Sequence, residues 1–267
     1  MRTHLSLIAG NGDFPRMFVE SARAQGVEVS AVGFKGETLP VIEGLVAKMK
    51  WIEIGQLQPL VDALLSYPSR EVAMAGGIRK VRFFMPMRPD ARALKVAKSL
   101  WAKKDDGILR AVARELESDG LTVVASTIYL EKAMATQGVL TKRTPSDRER
   151  ADLECGLQLA REIGAADIGQ TVVVKDGVPV AIEAIEGTDA CIERGGKWAK
   201  GEAVVVKMLK PGQDVRFDLP AIGPKTMKVM KSAGARVLGV EAGHVLMIER
   251  DETLRLADKY GLTVVGL

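Results

Sequence analysis

Leu5-Ser6-Leu7-Ile8-Ala9-Gly10-Asn11-Gly12-Asp13-Phe14-Pro15 passes from a short apolar run, through two glycines, to a proline that opens a helical pattern. Leu5–Gly10 reads as a buried strand and Pro15–Ala24 as an amphipathic helix. The unit then repeats. Val27–Gly33, Met49–Ile54, Glu71–Ala75 and Leu121–Ser126 read as further strands, while Leu57–Ser66, Asp90–Trp101 and Ile108–Ser118 carry apolar residues at helical spacing. Strands alternating with helices predict an α/β fold, a Rossmann-like doubly wound parallel sheet covered on both faces.

After Leu130 the pattern changes. Glu131–Thr144 is polar and lacks clear periodicity, which places a linker over 131–142, between a first domain at 1–130 and a second at 143–267. Ser146 and Glu149 are spaced as a capping box at the head of a helix. Thr171–Val174 and Val178–Ala184 flank Lys175-Asp176-Gly177, a hairpin signal. Ala203–Leu209, Arg236–Val240 and Thr263–Val265 read as strands, and Lys225–Ser232 and Leu254–Tyr260 as helices. The second domain is expected to be α+β and to carry the acidic loop at 210–224.

The 267 residues are 47% hydrophobic and 27% charged, a composition that fills a core in each domain and excludes disorder. Leu5–Ala9 is too short for a signal sequence, and no window nears the roughly 18 apolar residues of a membrane span, so a cytoplasmic protein is expected. Histidine occurs only at His4 and His244, which excludes a multi-histidine zinc site. For any metal, carboxylate oxygens must then do most of the ligation, favouring magnesium or manganese. Cys155 and Cys191 form no C-x-x-C and read as reduced thiols. A net charge of +4 is too mild for a nucleic-acid-binding surface, so no nucleic-acid partner is expected.

The turn Gly10-Asn11-Gly12 stands between strand and helix, where backbone N–H groups hold phosphate, although a tight structural turn is an equal reading. Asp13 is placed to cap the helix. Pro15 replaces the third glycine of a dinucleotide fingerprint, and the second strand ends in Phe34-Lys35 without an acid for a ribose. Both departures argue against a nicotinamide-dependent oxidoreductase. Gly76-Gly77 end the fourth strand and precede Arg79, Lys80 and Arg82, cations suited to an anionic head group. Phe83, Phe84, Met85 and Met87 read as an apolar lip or as loop packing. Lys104-Asp105-Asp106-Gly107 precedes a helix that Asp106 is placed to cap. Glu186-Gly187-Thr188-Asp189 runs off the hairpin, where capping of a short helix at Ala190–Arg194 competes with a catalytic role for Thr188 and Asp189.

In Gln213-Asp214-Val215-Arg216-Phe217-Asp218-Leu219-Pro220 the two aspartates are four apart and share one side of a strand or a helical turn, joined by Arg216 if the segment is extended. Two carboxylates beside a guanidinium can hold a hydrated divalent cation together with a phosphate oxygen. The alternative is a surface ion-pair cluster in a Pro/Gly-rich loop.

These motifs, Ile8–Pro15, Lys104–Gly107, Glu186–Asp189 and above all Gln213–Pro220 with Ile222-Gly223-Pro224, resemble the LpxI family of UDP-2,3-diacylglucosamine pyrophosphatases, in order and through nearly the whole chain. The resemblance implies a magnesium-dependent hydrolase of lipid A biosynthesis in a Gram-negative bacterium. It implies water attack at the α-phosphorus to give UMP and 2,3-diacylglucosamine 1-phosphate, and two linked domains with the substrate between them. It also implies one essential aspartate, either Asp214 or Asp218. On this basis Asp214 and Asp218 are assigned metal ligation or water activation, Arg216 charge stabilisation, and Thr188 and Asp189 a supporting part. Gly10, Asn11, Gly12, Gly76, Gly77 and Lys80 are assigned to the nucleotide or sugar, with Lys104, Asp105 and Asp106 also on the substrate. Thr127 and Gln137 are assigned to interdomain contacts. Two acyl chains need an apolar tunnel or transient contact with the inner-membrane surface; self-association stays open. A non-catalytic nucleotide- or lipid-binding protein is the alternative from another class.

Overall fold

The computed structural model describes residues 2–78, 88–103, 107–217 and 219–267, with the backbone alone for 99–103. The chain divides into two units, Met1–Glu131 with Asp214–Asp218, and Lys132–Gln213 with Leu219–Leu267.

In the first unit the predicted alternation becomes a five-stranded, all-parallel sheet. Its strands are β1 (His4–Ala9), β2 (Glu28–Phe34), β3 (Lys48–Ile52), β4 (Glu71–Ala75) and β5 (Thr122–Val124), in the order β3-β2-β1-β4-β5. The helices α1 (Phe14–Ala24), α2 (Leu57–Leu65), α3 (Ala91–Lys103) and α4 (Ile108–Ser118) connect them. Side chains alternate across a strand. Ile8, Val32 and Met74 enter one core with Leu57, Leu60 and Leu64 of α2 and Leu116 of α4. Phe18, Val19 and Ala22 of α1 are fully buried as that helix packs on β2 and β4. Because the strand order runs outward in both directions from β1 and β4, the crevice at the carboxyl ends of these two strands is the topological switch point, where ligands of open α/β sheets bind.

The second unit is built on a mixed six-stranded sheet ordered β6-β13-β11-β9-β7-β8. Its strands are β6 (Gly138–Val139), β7 (Thr171–Lys175), β8 (Val178–Ile182), β9 (Ala203–Lys207), β11 (Ala235–Val240) and β13 (Thr263–Gly266). β9, β11 and β13 are parallel, flanked by antiparallel strands on either side. β10 (Ala221–Ile222) and β12 (Leu246–Met247) form a separate parallel pair. The helices are α5 (Asp147–Ala165), α6 (Thr188–Ala199), α7 (Pro224–Ala233) and α8 (Arg250–Lys259). The capping box forms: Glu149 N–H donates to Ser146 Oγ at 3.3 Å and Ser146 N–H to Glu149 Oε2 at 2.8 Å. In the hairpin, Asp176 and Gly177 both take positive φ, 54° and 74°, the type I′ geometry whose twist matches the strands.

The structure departs from the sequence reading at two boundaries. Residues 132–142, expected as a linker, belong to the second unit. There Val139 pairs with Val265, and Ala135 N–H donates to Val245 O at 2.9 Å. A polar segment that adds an edge strand carries no period long enough to be read. The acidic stretch from Asp214, expected within the second domain, belongs to the first unit, drawn there by burial of Phe217 in its core.

Candidate active site

The switch-point crevice is formed by two glycine-bearing turns that touch. Gly10 N–H donates to Ala75 O at 2.8 Å and Asn11 N–H to Gly77 O at 2.7 Å, so the turn after β1 continues the sheet onto the turn after β4. The fit excludes side chains. A Cβ on Gly10 would lie 2.4 Å from Gly77 O, and one on Gly76 2.4 Å from Asn11 O. Asp13 occupies the N-cap position of α1 but its side chain makes no capping bond, lying instead 3.6 Å from Arg16. Sequence reasoning found no acid at the end of β2. The structure supplies one in Glu37, buried and accepting from Asn11 Nδ2 at 3.2 Å; the intervening loop residues hid it.

The same carboxyl edge receives the acidic motif. Ser126, just past β5, donates its N–H to Arg216 O at 2.7 Å. Residues 214–217 are not extended, as the pairing of Arg216 with both aspartates requires, but turn so that Phe217 N–H donates to Asp214 O at 3.2 Å. Arg216 therefore folds back on Asp214. Its Nε donates to Oδ1 at 3.0 Å and its Nη2 to Oδ2 at 2.8 Å, while its backbone N–H reaches Oδ1 at 3.1 Å. Nη1 donates to Glu117 Oε1 at 2.8 Å. The Arg216 hydrogen bonds hold the Asp214 carboxyl below the usual carboxylate range, and Asp214, then Glu117, raise the guanidinium above its ordinary value. A guanidinium bonded to two carboxylates is held in one orientation.

In the second unit Thr188 and Asp189 lie inside the first turn of α6, which starts earlier than expected, and neither caps it. Asp189 pairs with Lys225 at 2.7 Å. Thr188 Oγ1 accepts from Lys207 Nζ at 2.9 Å, and the same ammonium donates to Ala221 O at 2.8 Å. Burial pushes Lys207 below the ordinary lysine value against the opposing pull of Glu183 and Asp189. The sequence reading missed Lys207; a lysine closing the apolar run Ala203–Val206 was its signal. Cys191 is fully buried, and that burial pushes its thiol up to about 12.

Lys207→Met keeps the buried stem and removes both bonds, so a loss of about 2 kcal/mol is expected. Because the folded pKa is lowered, native Lys207 releases its proton while the unfolded chain still holds it, and the contribution of Lys207 to stability rises with pH up to about 10.5. The variant lacks that rise. Thermal melts across this range should therefore diverge with pH, and parallel curves contradict the assignment.

Two family models match the chain in order, the LpxI N-terminal domain over residues 4–133 and the LpxI C-terminal domain over residues 136–265. The chain belongs to the LpxI family. The UDP-2,3-diacylglucosamine pyrophosphatase LpxI of Caulobacter vibrioides is 33% identical over 274 aligned positions, spanning 98% of this chain and 97% of that protein. A solved biotin carboxylase domain, from the 2-oxoglutarate carboxylase of Hydrogenobacter thermophilus, is similar over 65% of this chain and 35% of its own at 12% identity. Its TM-score to this chain is 0.25.

Of the LpxI site residues expected from sequence, the structure brings Gly10, Asn11, Gly76 and Gly77 into contact, with Gly12 next in the first turn, and sets Asp214, Arg216 and Thr127 in the same unit. Thr127 follows β5 and accepts from Leu130 N–H at 2.7 Å; Gln137 is exposed in the second unit beside Gly138. Lys80, Lys104, Asp105, Asp106 and Asp218 lie outside the described residues, as do Arg79, Arg82 and 83–87. No group of three or more carboxylate, histidine or cysteine ligands lies together among the described residues. Both oxygens of Asp214 are taken up by Arg216. The described side chains thus do not form a resident magnesium cage.

Proposed function

We propose that this LpxI chain is a hydrolase of lipid A biosynthesis that cleaves the diphosphate of UDP-2,3-diacylglucosamine. Water adds to the α-phosphorus and the bond to the bridging oxygen breaks, releasing UMP and 2,3-diacylglucosamine 1-phosphate. Full-length kinship with the Caulobacter vibrioides pyrophosphatase carries the reading. The locked Arg216 at the strand-carboxyl edge supports it, since phosphoryl transfer depends on positioned charge more than on covalent chemistry.

In this proposal Arg216 meets the charge that develops on the phosphoryl oxygens, Asp214 and Glu117 fix its plane, and Asp218 activates the water. The turns at Gly10–Gly12 and Gly76-Gly77, with Lys80, Lys104, Asp105 and Asp106, receive the nucleotide or sugar. Thr188 and Asp189 keep a supporting part. Magnesium, or manganese, is proposed to arrive with the diphosphate, because the ion keeps several waters and is commonly held by one or two carboxylates plus substrate phosphates. It would neutralise charge on the diphosphate.

EDTA should stop turnover and added magnesium restore it; a chelator-resistant enzyme excludes the metal. Hydrolysis in ¹⁸O-water should place the label on UMP, and label on the lipid phosphate would mean attack at the other phosphorus.

A further inference from the structure

We propose that Glu37 is the ribose acceptor of the nucleotide site, its carboxylate taking hydrogen bonds from the 2′- and 3′-hydroxyls of the uridine half. The inference rests on the hydrolase reading above and adds a specificity-determining residue to it. Glu37 lies in the loop beyond Phe34, the last residue of β2, and is 6% exposed.

The loop is folded so that this carboxylate stands beside β1 and its turn. Glu37 N–H and Thr38 N–H both donate to Phe34 O, at 3.1 and 3.0 Å, which turns the chain back at once. Thr38 Oγ1 accepts from Phe34 N–H at 2.8 Å and donates to Ala9 O, the last carbonyl of β1. One buried hydroxyl thus ties the carboxyl ends of the two strands together. That tie sets Glu37 against the glycine turn, where its Oε2 accepts from Asn11 Nδ2 at 3.2 Å. Lys35, the cation of the same loop, pairs with Glu53 just beyond β3 at 3.1 Å.

Open α/β sheets hold nucleotides in this arrangement. The phosphate goes to the turn after the first strand and the start of its helix, and an acid at the end of the second strand takes the ribose hydroxyls. Here the turn is Gly10-Asn11-Gly12 ahead of α1, and the acid is Glu37. Pro15, the second residue of α1, still departs from the dinucleotide fingerprint, so the acid is read for the single nucleoside of the substrate. As an anchor for Asn11 alone, a neutral glutamine would serve without the cost of burying a charge. A carboxylate has about four acceptor positions, so the Asn11 amide and a ribose diol can share it. Because the group is buried, a nucleotide lacking the hydroxyl brings nothing to take its place, which makes the contact selective.

The test compares UMP with 2′-deoxy-UMP by titration calorimetry on the full chain, beside turnover of UDP-2,3-diacylglucosamine. Wild type should bind UMP at least about tenfold more tightly than the deoxynucleotide. Glu37→Gln keeps the size of the side chain and an acceptor for Asn11, but presents an amide nitrogen in place of one carboxylate oxygen. It should melt like wild type and bind the two nucleotides within about twofold of each other. Its KM should rise with kcat little changed, because the ribose takes no part in the bond that breaks. A wild type that binds both nucleotides equally overturns the proposal whatever the variant does, and so does a Glu37→Gln protein that keeps the wild-type preference. Selective UMP binding by a wild type that leaves UDP-2,3-diacylglucosamine intact would uphold Glu37 and sink the hydrolase reading. Turnover without ribose selectivity would do the reverse.

Discussion

Arg216→Ala is expected to lower UMP release by roughly 10³-fold, the scale on which positioned arginines act in phosphoryl transfer, with the loss in kcat. The expectation follows from how completely the side chain is committed. Four of its contacts go to two carboxylates and none is left to choose a second orientation. Arg216→Lys should recover little, because an ammonium cannot reproduce the paired bonds to Asp214. Asp214→Asn separates two roles for that residue. If Asp214 only orients Arg216, the variant loses less than Arg216→Ala; if it also binds metal, it loses as much and its magnesium requirement rises. Rapid-quench assays on purified protein check these outcomes, and near-wild-type turnover in Arg216→Ala contradicts the assignment.

Gly76→Ala is expected to cost about 3 kcal/mol. Its φ of +78° puts a substituted residue in the left-handed region, at roughly 1–2 kcal/mol, and its Cβ would press on the Asn11 carbonyl, for roughly 1–3 kcal/mol more. Gly12→Ala is the matched comparison. Gly12 has the same sign of φ, +80°, but a Cβ there would meet nothing within 4 Å, so only the backbone cost of roughly 1–2 kcal/mol is expected. Equal losses in denaturant unfolding would mean that contact between the two turns contributes nothing. Gly76→Ala should also raise KM if, as proposed, these turns receive the nucleotide or sugar.

The first unit was legible because each strand and helix announces itself locally. The apolar run at Leu5–Ala9, the glycine turn and Pro15 fix a β-turn-α step, and repetition of that step leaves few arrangements besides a parallel sheet. What the sequence hid was long-range. Nothing local to Asp214–Phe217 says that Phe217 buries among α2 and α4 residues far earlier in the chain, or that Glu117 completes the arginine clamp. Glu37 escaped for a smaller reason, lying just beyond the strand end where an acid was sought. Lys207 escaped because a lysine at the end of a valine run reads as a strand terminus at the surface, whereas here it is buried against Thr188 and Ala221. The motif at 186–189 was visible, but its partner was not.

The most direct measurement is incubation of the purified chain with UDP-2,3-diacylglucosamine and magnesium, with the nucleotide product separated and identified. UMP in equal amount to 2,3-diacylglucosamine 1-phosphate is the predicted result. Substrate left intact under conditions where the protein binds it, or UDP in place of UMP, contradicts the account.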